Sequence, residues 1–286
     1  MKGMSAGTPN GERRPGVKRS FADDYERHQA WDREAREAVA RYLSSPLRSR
    51  PGSCLFLGCA TGVNDVLPFA RRAPRGTRIL AGDIDDSCLR RLRVHARRER
   101  LSGVEVRRLD VTEDLSPLGT FDLVTLFFVV HRLHSWKSVV RRLAARVGPG
   151  GSFYTSEFVG PGGVIYLANE GGGKARHGVA RLIRRYFELH PDRFDPGLKS
   201  SSIGPVLGEL GRLLRPAGHR DVAWRQTLTV KDMFQRIERK AYAPFWGSDR
   251  ARSVLDRLSR EFGGEGSRNV ALVERIRIHR FVRCGP

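Results

Sequence analysis

The chain has 286 residues, 40% of them hydrophobic and 29% charged, enough apolar content to bury a sizeable core and too much for a disordered chain. Basic residues outnumber acidic ones by 52 to 31, a formal charge of +21 that would suit an anionic partner. No apolar run reaches the roughly 18 residues needed to cross a bilayer, and the opening MKGMSAGTPNGERRPGVKRS has no secretory apolar stretch, so a soluble, cytoplasmic protein without a membrane partner is expected.

The quality of the charge tempers its meaning. Only seven of the 52 basic residues are lysine and 45 are arginine, a skew that a GC-rich coding sequence produces without any demand from binding. The arginines are also spread over several helical stretches, Arg90, Arg91, Arg93, Arg97 and Arg98 on one and Arg181, Arg184 and Arg185 on another, as solvated faces would be. A nucleic-acid partner is therefore the weaker reading. Cys54, Cys59, Cys88 and Cys284 show neither metal-ligand spacing nor a paired framework, so reduced, structural cysteines and no metal are expected.

Residues 1–19 are Gly, Pro and basic residues without periodicity and read as a basic, disordered tail, with order beginning near Ser20. The segment FADDYERHQAWDREAREAVARYL predicts one or two amphipathic helices, a lid-like element over 20–46. Short apolar runs then recur, CLFL at 54–57, RILAG at 78–82, VEVRRL at 104–109, FDLVTLFF at 121–128 and SFYTSEF at 152–158. Helical stretches lie between them, clearest in SCLRRLRVHARRERL and WKSVVRRLAARVG. The alternation predicts a doubly wound α/β fold with a parallel sheet and a ligand site beyond the carboxyl ends of its strands. Residues 159–220 read as an insertion or lid, with a helix near 176–190 and another near 203–215 ending in a turn at Arg215-Pro216-Ala217-Gly218. Strands DVAWRQTLTV and RIRIHRFVR follow, separated by helices at 230–241 and 250–262, all within a single domain over 20–286.

The first strand runs into LFLGCATGVN, where Gly58, Ala60 and Gly62 form G-x-A-x-G, a turn of small residues that lets backbone approach a ligand. The second strand ends in Gly82-Asp83-Ile84-Asp85-Asp86-Ser87, where an acidic side chain can accept from ribose hydroxyls or cap the next helix. Both roles are compatible if Asp85 takes the ribose and Asp86 or Ser87 the cap.

In this order LFLGCATG, AGDIDDS, RRLDVTE, FDLVTLFFVVHRLHSW and RVGPGG resemble the successive motifs of class I S-adenosylmethionine-dependent methyltransferases across residues 53–158. The resemblance implies a Rossmann-like seven-stranded sheet with the last strand antiparallel, and S-adenosyl-L-methionine as cofactor. It implies that Gly58, Cys59, Ala60 and Gly62 line the methionine portion, Asp85 holds the ribose, Ile84 and Asp86 flank the adenosine, Asp110 and Val111 border adenine, and Phe127 closes the floor. Tyr25, on the N-terminal helix that in similar proteins folds over the cofactor as a lid, is a further candidate for cofactor contact, with ordinary packing as the alternative.

Two positions depart from that pattern: Phe56 stands where the family usually has Asp or Glu, and Ala60 where it usually has Gly. Alanine is accommodated in such a turn if its φ is negative. A nicotinamide dehydrogenase would want G-x-G-x-x-G instead.

Methyl transfer from a sulfonium is an in-line displacement, so alignment and water exclusion are the protein's main tasks, with a base needed only for a weakly acidic acceptor. His131 and His134, in VVHRLHSW beyond the fourth strand, are the candidate bases, with cofactor orientation or helix capping as the blander roles. Glu157 and aromatic residues such as Phe158, Tyr166, Tyr242, Phe245 and Trp246 are candidates for the acceptor side. The leading expectation is a small-molecule acceptor, as in secondary metabolism. RNA or protein methylation through the basic surface, and a non-catalytic partner-binding protein, are the alternatives.

Overall fold

Short apolar runs and amphipathic stretches alternate because the central strands bury both faces while each helix buries one. The computed structural model describes residues 20–47, 50–130, 133, 135–159, 164–166, 203–229, 260 and 269–285. The expected helices at 176–190, 230–241 and 250–262, and the N-terminal tail, lie outside these residues.

The N-terminal segment forms two helices, α1 (Phe21–Gln29) and α2 (Arg33–Ser44). Ser20 and Asp23 cap α1 reciprocally, and Asp32 caps α2 by accepting from Ala35 N–H at 2.8 Å. Two capping sequences only about twelve residues apart explain why there are two helices rather than one.

Then follow β1 (Ser53–Leu57), α3 (Val66–Arg72), β2 (Arg78–Asp83), α4 (Asp86–Arg98), β3 (Val104–Arg108), β4 (Phe121–Phe127), α5 (Trp136–Ala145) and β5 (Val147–Phe158). The chain closes with β6 (Val164–Tyr166), α6 (Gly204–Leu213), β7 (Arg215–Thr229) and β8 (Asn269–Val282). The five expected parallel strands all form. β1 lies between β2 and β4, β3 flanks β2, and β5 flanks β4.

The sheet runs β3-β2-β1-β4-β5-β8, with β7 on the far side of β8. β6 continues the line of β5 along β8, pairing Val164 with Glu274 where β5 ends by pairing Phe158 with Ile276. The sheet is therefore seven strands wide, and β8, the last in the chain, is antiparallel to both neighbours. This is the Rossmann-like arrangement anticipated from the motifs.

Period-two alternation sorts β1 cleanly, with Cys54 and Phe56 packing into one core and Leu55 and Leu57 into the other. The first core is closed by Val39 and Leu43 of α2, Phe69 of α3 and Leu92 of α4. The second is closed by Val140 and Leu143 of α5 with Val206 and Leu210 of α6. Helices thus cover both faces, as right-handed crossovers require.

Two details at the chain's later end differ from the pattern read in the sequence. The helix ends at Leu213, and Arg215-Pro216-Ala217-Gly218 opens β7, where pairing with β8 shifts register between Pro216 and His219 and Gly218 takes φ 99°. Within the stretch 159–220 read as an insertion or lid, α6 and the start of β7 belong to the helical cover and the sheet, and most of the remainder lies outside the described residues. Among the described residues no helix is long and apolar enough to cross a membrane.

Candidate functional site

The site is built where β1, β2 and β4 end side by side. Immediately after β1 the backbone N–H groups of Gly58 and Cys59 both donate to the Gly82 carbonyl, at 2.9 and 3.3 Å, which ties the glycine turn to the end of β2. Gly58 takes φ 65°, and a Cβ there would lie 2.1 Å from Val129 Cγ2, so any other residue would be strained and would displace Val129. Gly62 takes φ 68°, and a Cβ there would meet Leu92 Cδ1 at 2.6 Å.

Ala60 adopts φ 47°. The negative φ under which alanine would be tolerated is thus not the one present: three alternate positions, 58, 60 and 62, are left-handed. The turn holds this conformation despite the methyl group, at a cost of about 1–2 kcal/mol. The bond that holds it runs from Ala60 N–H to Asp83 Oδ2, 2.8 Å.

Asp83 is the last residue of β2, and its other oxygen accepts from Asp85 N–H at 2.9 Å. Asp85 itself is the N-cap of α4, accepting from Cys88 N–H at 2.8 Å and Ser87 Oγ at 2.5 Å. The cap therefore falls to Asp85 rather than to Asp86 or Ser87. Burial opposes the Asp85 charge, but the bonds from Ser87 and Cys88 outweigh it and leave the carboxyl below its ordinary range. Asp86 is exposed in the first turn of α4.

Ile84, between these acids, is 59% exposed, which is unusual for a large aliphatic side chain on this fold. After β3, Asp110 accepts from Thr112 N–H and Oγ1 at 2.8 and 2.7 Å. Those bonds, the side-chain one first, hold its carboxyl below the usual range, and Val111 beside it is buried.

α1 lies over this turn. Tyr25 and Phe21 pack against a small buried group formed by Ala22, Ala60 and Cys88. Asn64, buried just after the turn, accepts from Trp31 N–H through Oδ1 at 2.9 Å and donates through Nδ2 to Tyr25 Oη at 3.3 Å. On the outer side Arg91 of α4 pairs with Asp23 and Glu26, and His95 Nε2 lies 2.8 Å from Glu26 Oε1. Burial, then the charge of Asp65, pushes the Tyr25 phenol well above its ordinary range, so it stays protonated.

At the end of β4, Phe127 is buried and Phe128 takes φ 56°, a second non-glycine residue in the left-handed region beside the turn. Ala60 and Phe128 thus place two left-handed non-glycine residues at adjoining strand ends, the kind of local strain that gathers at functional sites. The Phe128 ring meets Trp31 edge-on at 6.2 Å, and Trp31 in turn packs on Trp224 of β7 at 5.0 Å. His131 and His134 lie outside the described residues, as do the side chains of Phe158 and Tyr166 and the aromatics at 242–246. Glu157 Oε1 is 2.8 Å from His279 Nε2, across the β5–β8 pairing.

The structure thus brings Tyr25, Cys59, Ala60, Asp85 and their neighbours to one place. It adds Asn64, Asp65 and Asp83, which the sequence reading did not single out. A polar Asn-Asp pair at the very start of an otherwise apolar helix was the available signal.

A family model described as a methyltransferase domain matches residues 25–194, more than half of the chain. No curated protein matches the chain in sequence. Solved structures of similar fold include the YcgJ protein of Bacillus subtilis, with TM-score 0.53 and 13% identity over 89% of this chain and 100% of that one. Another is a putative type II methyltransferase of Anaeromyxobacter dehalogenans, with TM-score 0.55 and 15% identity over 87% and 97%. The N-methyltransferase NodS of Bradyrhizobium japonicum, in complex with S-adenosyl-L-homocysteine, aligns with TM-score 0.50 and 15% identity over 91% and 92%. At these identities the likeness is one of fold. Strand order, the glycine turn and the family match together place this chain in the class I S-adenosylmethionine-dependent methyltransferases.

Proposed function

We propose that the chain methylates a small-molecule acceptor. The observation that carries this reading is the cover over the cofactor turn: α1 is fastened on its inner side by Asn64 and on its outer side by Arg91 and His95. A turn closed in this way favours an acceptor small enough to be enclosed.

The residues present fit the cofactor. Thr61 Oγ1, within the turn, is buried and has no hydrogen-bond partner among the described residues, and Asp83 offers a carboxylate at the end of β2 beside exposed Ile84. In this reading Gly58, Cys59, Ala60 and Gly62 lie along the methionine portion. The ribose hydroxyls donate to Asp83, while Asp85 holds the end of α4 that frames them. Ile84 and Asp86 flank the adenosine, Asp110 and Val111 border adenine, Phe127 closes the floor, and Tyr25 covers the whole from α1.

The cofactor supplies an electrophilic methyl carbon on sulfonium. The protein's own work is positional: α1 excludes water, the glycine turn fixes the approach, and the mutually packed Trp31, Phe128 and Trp224 rings brace the joint between α1 and α2 against the sheet. Where the acceptor needs a base, His131 and His134 are the side chains to test.

The arginine surplus also supports a small acceptor, because many arginines are fasteners. Arg71 pairs with Glu99, Arg141 with Glu209 and Arg277 with Asp221, while Arg142, Arg146 and Arg283 donate to backbone carbonyls. Such groups are committed within the fold rather than arrayed for phosphates. The test is transfer of labelled methyl from S-adenosyl-L-methionine into panels of small amines, phenols and carboxylates, and into RNA and protein fractions, at low and high salt. Salt-insensitive labelling of a small molecule is expected; labelling confined to RNA or protein, and lost steeply with salt, would overturn the reading.

A further inference from the structure

Asp65 is a buried acid whose charge nothing among the described residues balances. It lies just beyond the glycine turn, is 7% exposed, and no cation stands against it among the described residues. Of the described basic side chains on the α1–α4 seam, Arg91 is engaged with Asp23 and Glu26, and His95 with Glu26. The titratable groups that its charge reaches are Tyr25 on α1, Cys59 in the turn and Asp83 at the end of β2, all neutral or acidic.

Helix capping does not account for a charge here. An N-cap side chain ordinarily accepts from the second or third N–H of its helix with extended backbone, and Asn or Ser serves as well. Asp65 instead has φ −131° and ψ −63°, and its Oδ1 accepts from Val66 N–H, the very next residue, at 2.6 Å. The carboxyl therefore sits on the first N–H of α3, a bond that a neutral acceptor would make equally well. Burying an unpaired carboxylate costs several kcal/mol in a folded protein, so its retention calls for a cation that arrives from outside. Elsewhere β1 supplies no acid: Phe56, on the strand leading into the turn, is packed against Phe69 at 5.1 Å.

We propose that the Asp65 carboxylate is the counter-ion of the α-ammonium group on the cofactor's methionine portion. This rests on the cofactor placement given above, with the methionine portion along residues 58–62. Two carboxylates, Asp65 and Asp83, then divide the cofactor between them: the first fixes its amino-acid end, the second its ribose.

Without the cofactor, burial above all pushes the Asp65 carboxyl up to about 7. An ammonium group beside it restores the charged form, so binding at neutral pH expels a proton from the fraction of molecules that hold one. The charge on Asp65 thereby becomes useful only when the cofactor is present, in keeping with the lack of a cation against it among the described residues.

The test is titration calorimetry of the full chain and of Asp65→Asn, using S-adenosyl-L-homocysteine and 5′-methylthioadenosine, which lacks the amino-acid end. Asparagine keeps the bond to Val66 N–H and removes only charge, and a melting temperature at or above that of the wild type verifies folding. The expected result is a loss of about tenfold or more for S-adenosyl-L-homocysteine, with 5′-methylthioadenosine unchanged within about twofold. Near pH 7, buffers of different ionisation enthalpy should also show release of about half a proton by the wild type and none by Asp65→Asn. Equal losses for both ligands, or no loss for the first, would overturn the proposal while leaving the cofactor reading intact. A wild-type chain that binds neither ligand would overturn both. An altered preference between S-adenosyl-L-methionine and S-adenosyl-L-homocysteine in Asp65→Asn would place the carboxylate at the sulfonium instead and so overturn the ammonium assignment.

Discussion

Ala60 N–H donates to Asp83 Oδ2 across 2.8 Å, and this one bond couples the left-handed centre of the glycine turn to the end of the neighbouring strand. Asp83→Ala would strip a partner from two backbone N–H groups at once, those of Ala60 and Asp85. It should weaken S-adenosyl-L-homocysteine and 5′-methylthioadenosine alike, by about tenfold or more, because the ribose is common to both. Asp85→Ala removes the α4 cap and should cost about 1 kcal/mol of stability with a smaller effect on affinity. Calorimetry and thermal melts on the pair separate the two acids; the reverse ranking would return the ribose to Asp85.

Ala60→Gly removes a methyl group from a residue held at φ 47°. The left-handed penalty of about 1–2 kcal/mol disappears, partly offset by the greater freedom of glycine in the unfolded chain, so a net gain of up to about 1 kcal/mol is expected. Differential scanning calorimetry reads it directly. A lower melting temperature would show that the alanine methyl, which packs with Ala22 and Cys88, contributes more than its backbone costs.

The architecture was legible because each element carried its own signal. CLFL and FDLVTLFF are continuous apolar runs of the kind a doubly covered strand needs, and they became β1 and β4, sorted alternately into two cores. Backbone conformation was less accessible: nothing in the string GCATG distinguishes an alanine at φ 47° from one with negative φ. The fine assignment of acids was obscured for a similar reason. Asp83, Asp85 and Asp86 stand within four residues, and only the point at which β2 stops and α4 starts decides which accepts from the turn and which caps the helix. Asp65 was hidden because a polar residue at a helix start is ordinarily a cap. Its unusual dihedrals, and the lack of a cation against it among the described residues, exist only in three dimensions.

Asn64→Ala should loosen the cover. The side chain bridges Trp31 N–H and Tyr25 Oη, and its removal leaves a buried backbone donor without its acceptor, at about 1–3 kcal/mol. Hydrogen exchange of residues 20–31 should accelerate while that of β1 and β4 stays unchanged, and cofactor affinity should fall several-fold. Uniform acceleration through the sheet would mean instead that Asn64 supports the whole fold rather than the closure of α1.

Stability against pH gives an independent reading of Asp65. Its folded carboxyl titrates near 7, above the ordinary 3.8, so between those values the native state binds more protons than the unfolded one. The contribution is thus fully present below about pH 4 and is lost as pH rises towards 7, with a slope of up to about 1.4 kcal/mol per pH unit. Asp85, Asp110 and Asp221, whose carboxyls are held low, act in the opposite sense and lose their contribution as the solution is acidified. The quantity to measure is therefore the difference between Asp65→Asn and the wild type in denaturant titrations from pH 5 to pH 8. The variant should gain on the wild type across that window, and saturating S-adenosyl-L-homocysteine should reverse the ranking, because only the wild type pairs the ligand's ammonium with a carboxylate. A difference that stays flat with pH would mean that Asp65 is ionised in the free protein and already has a partner.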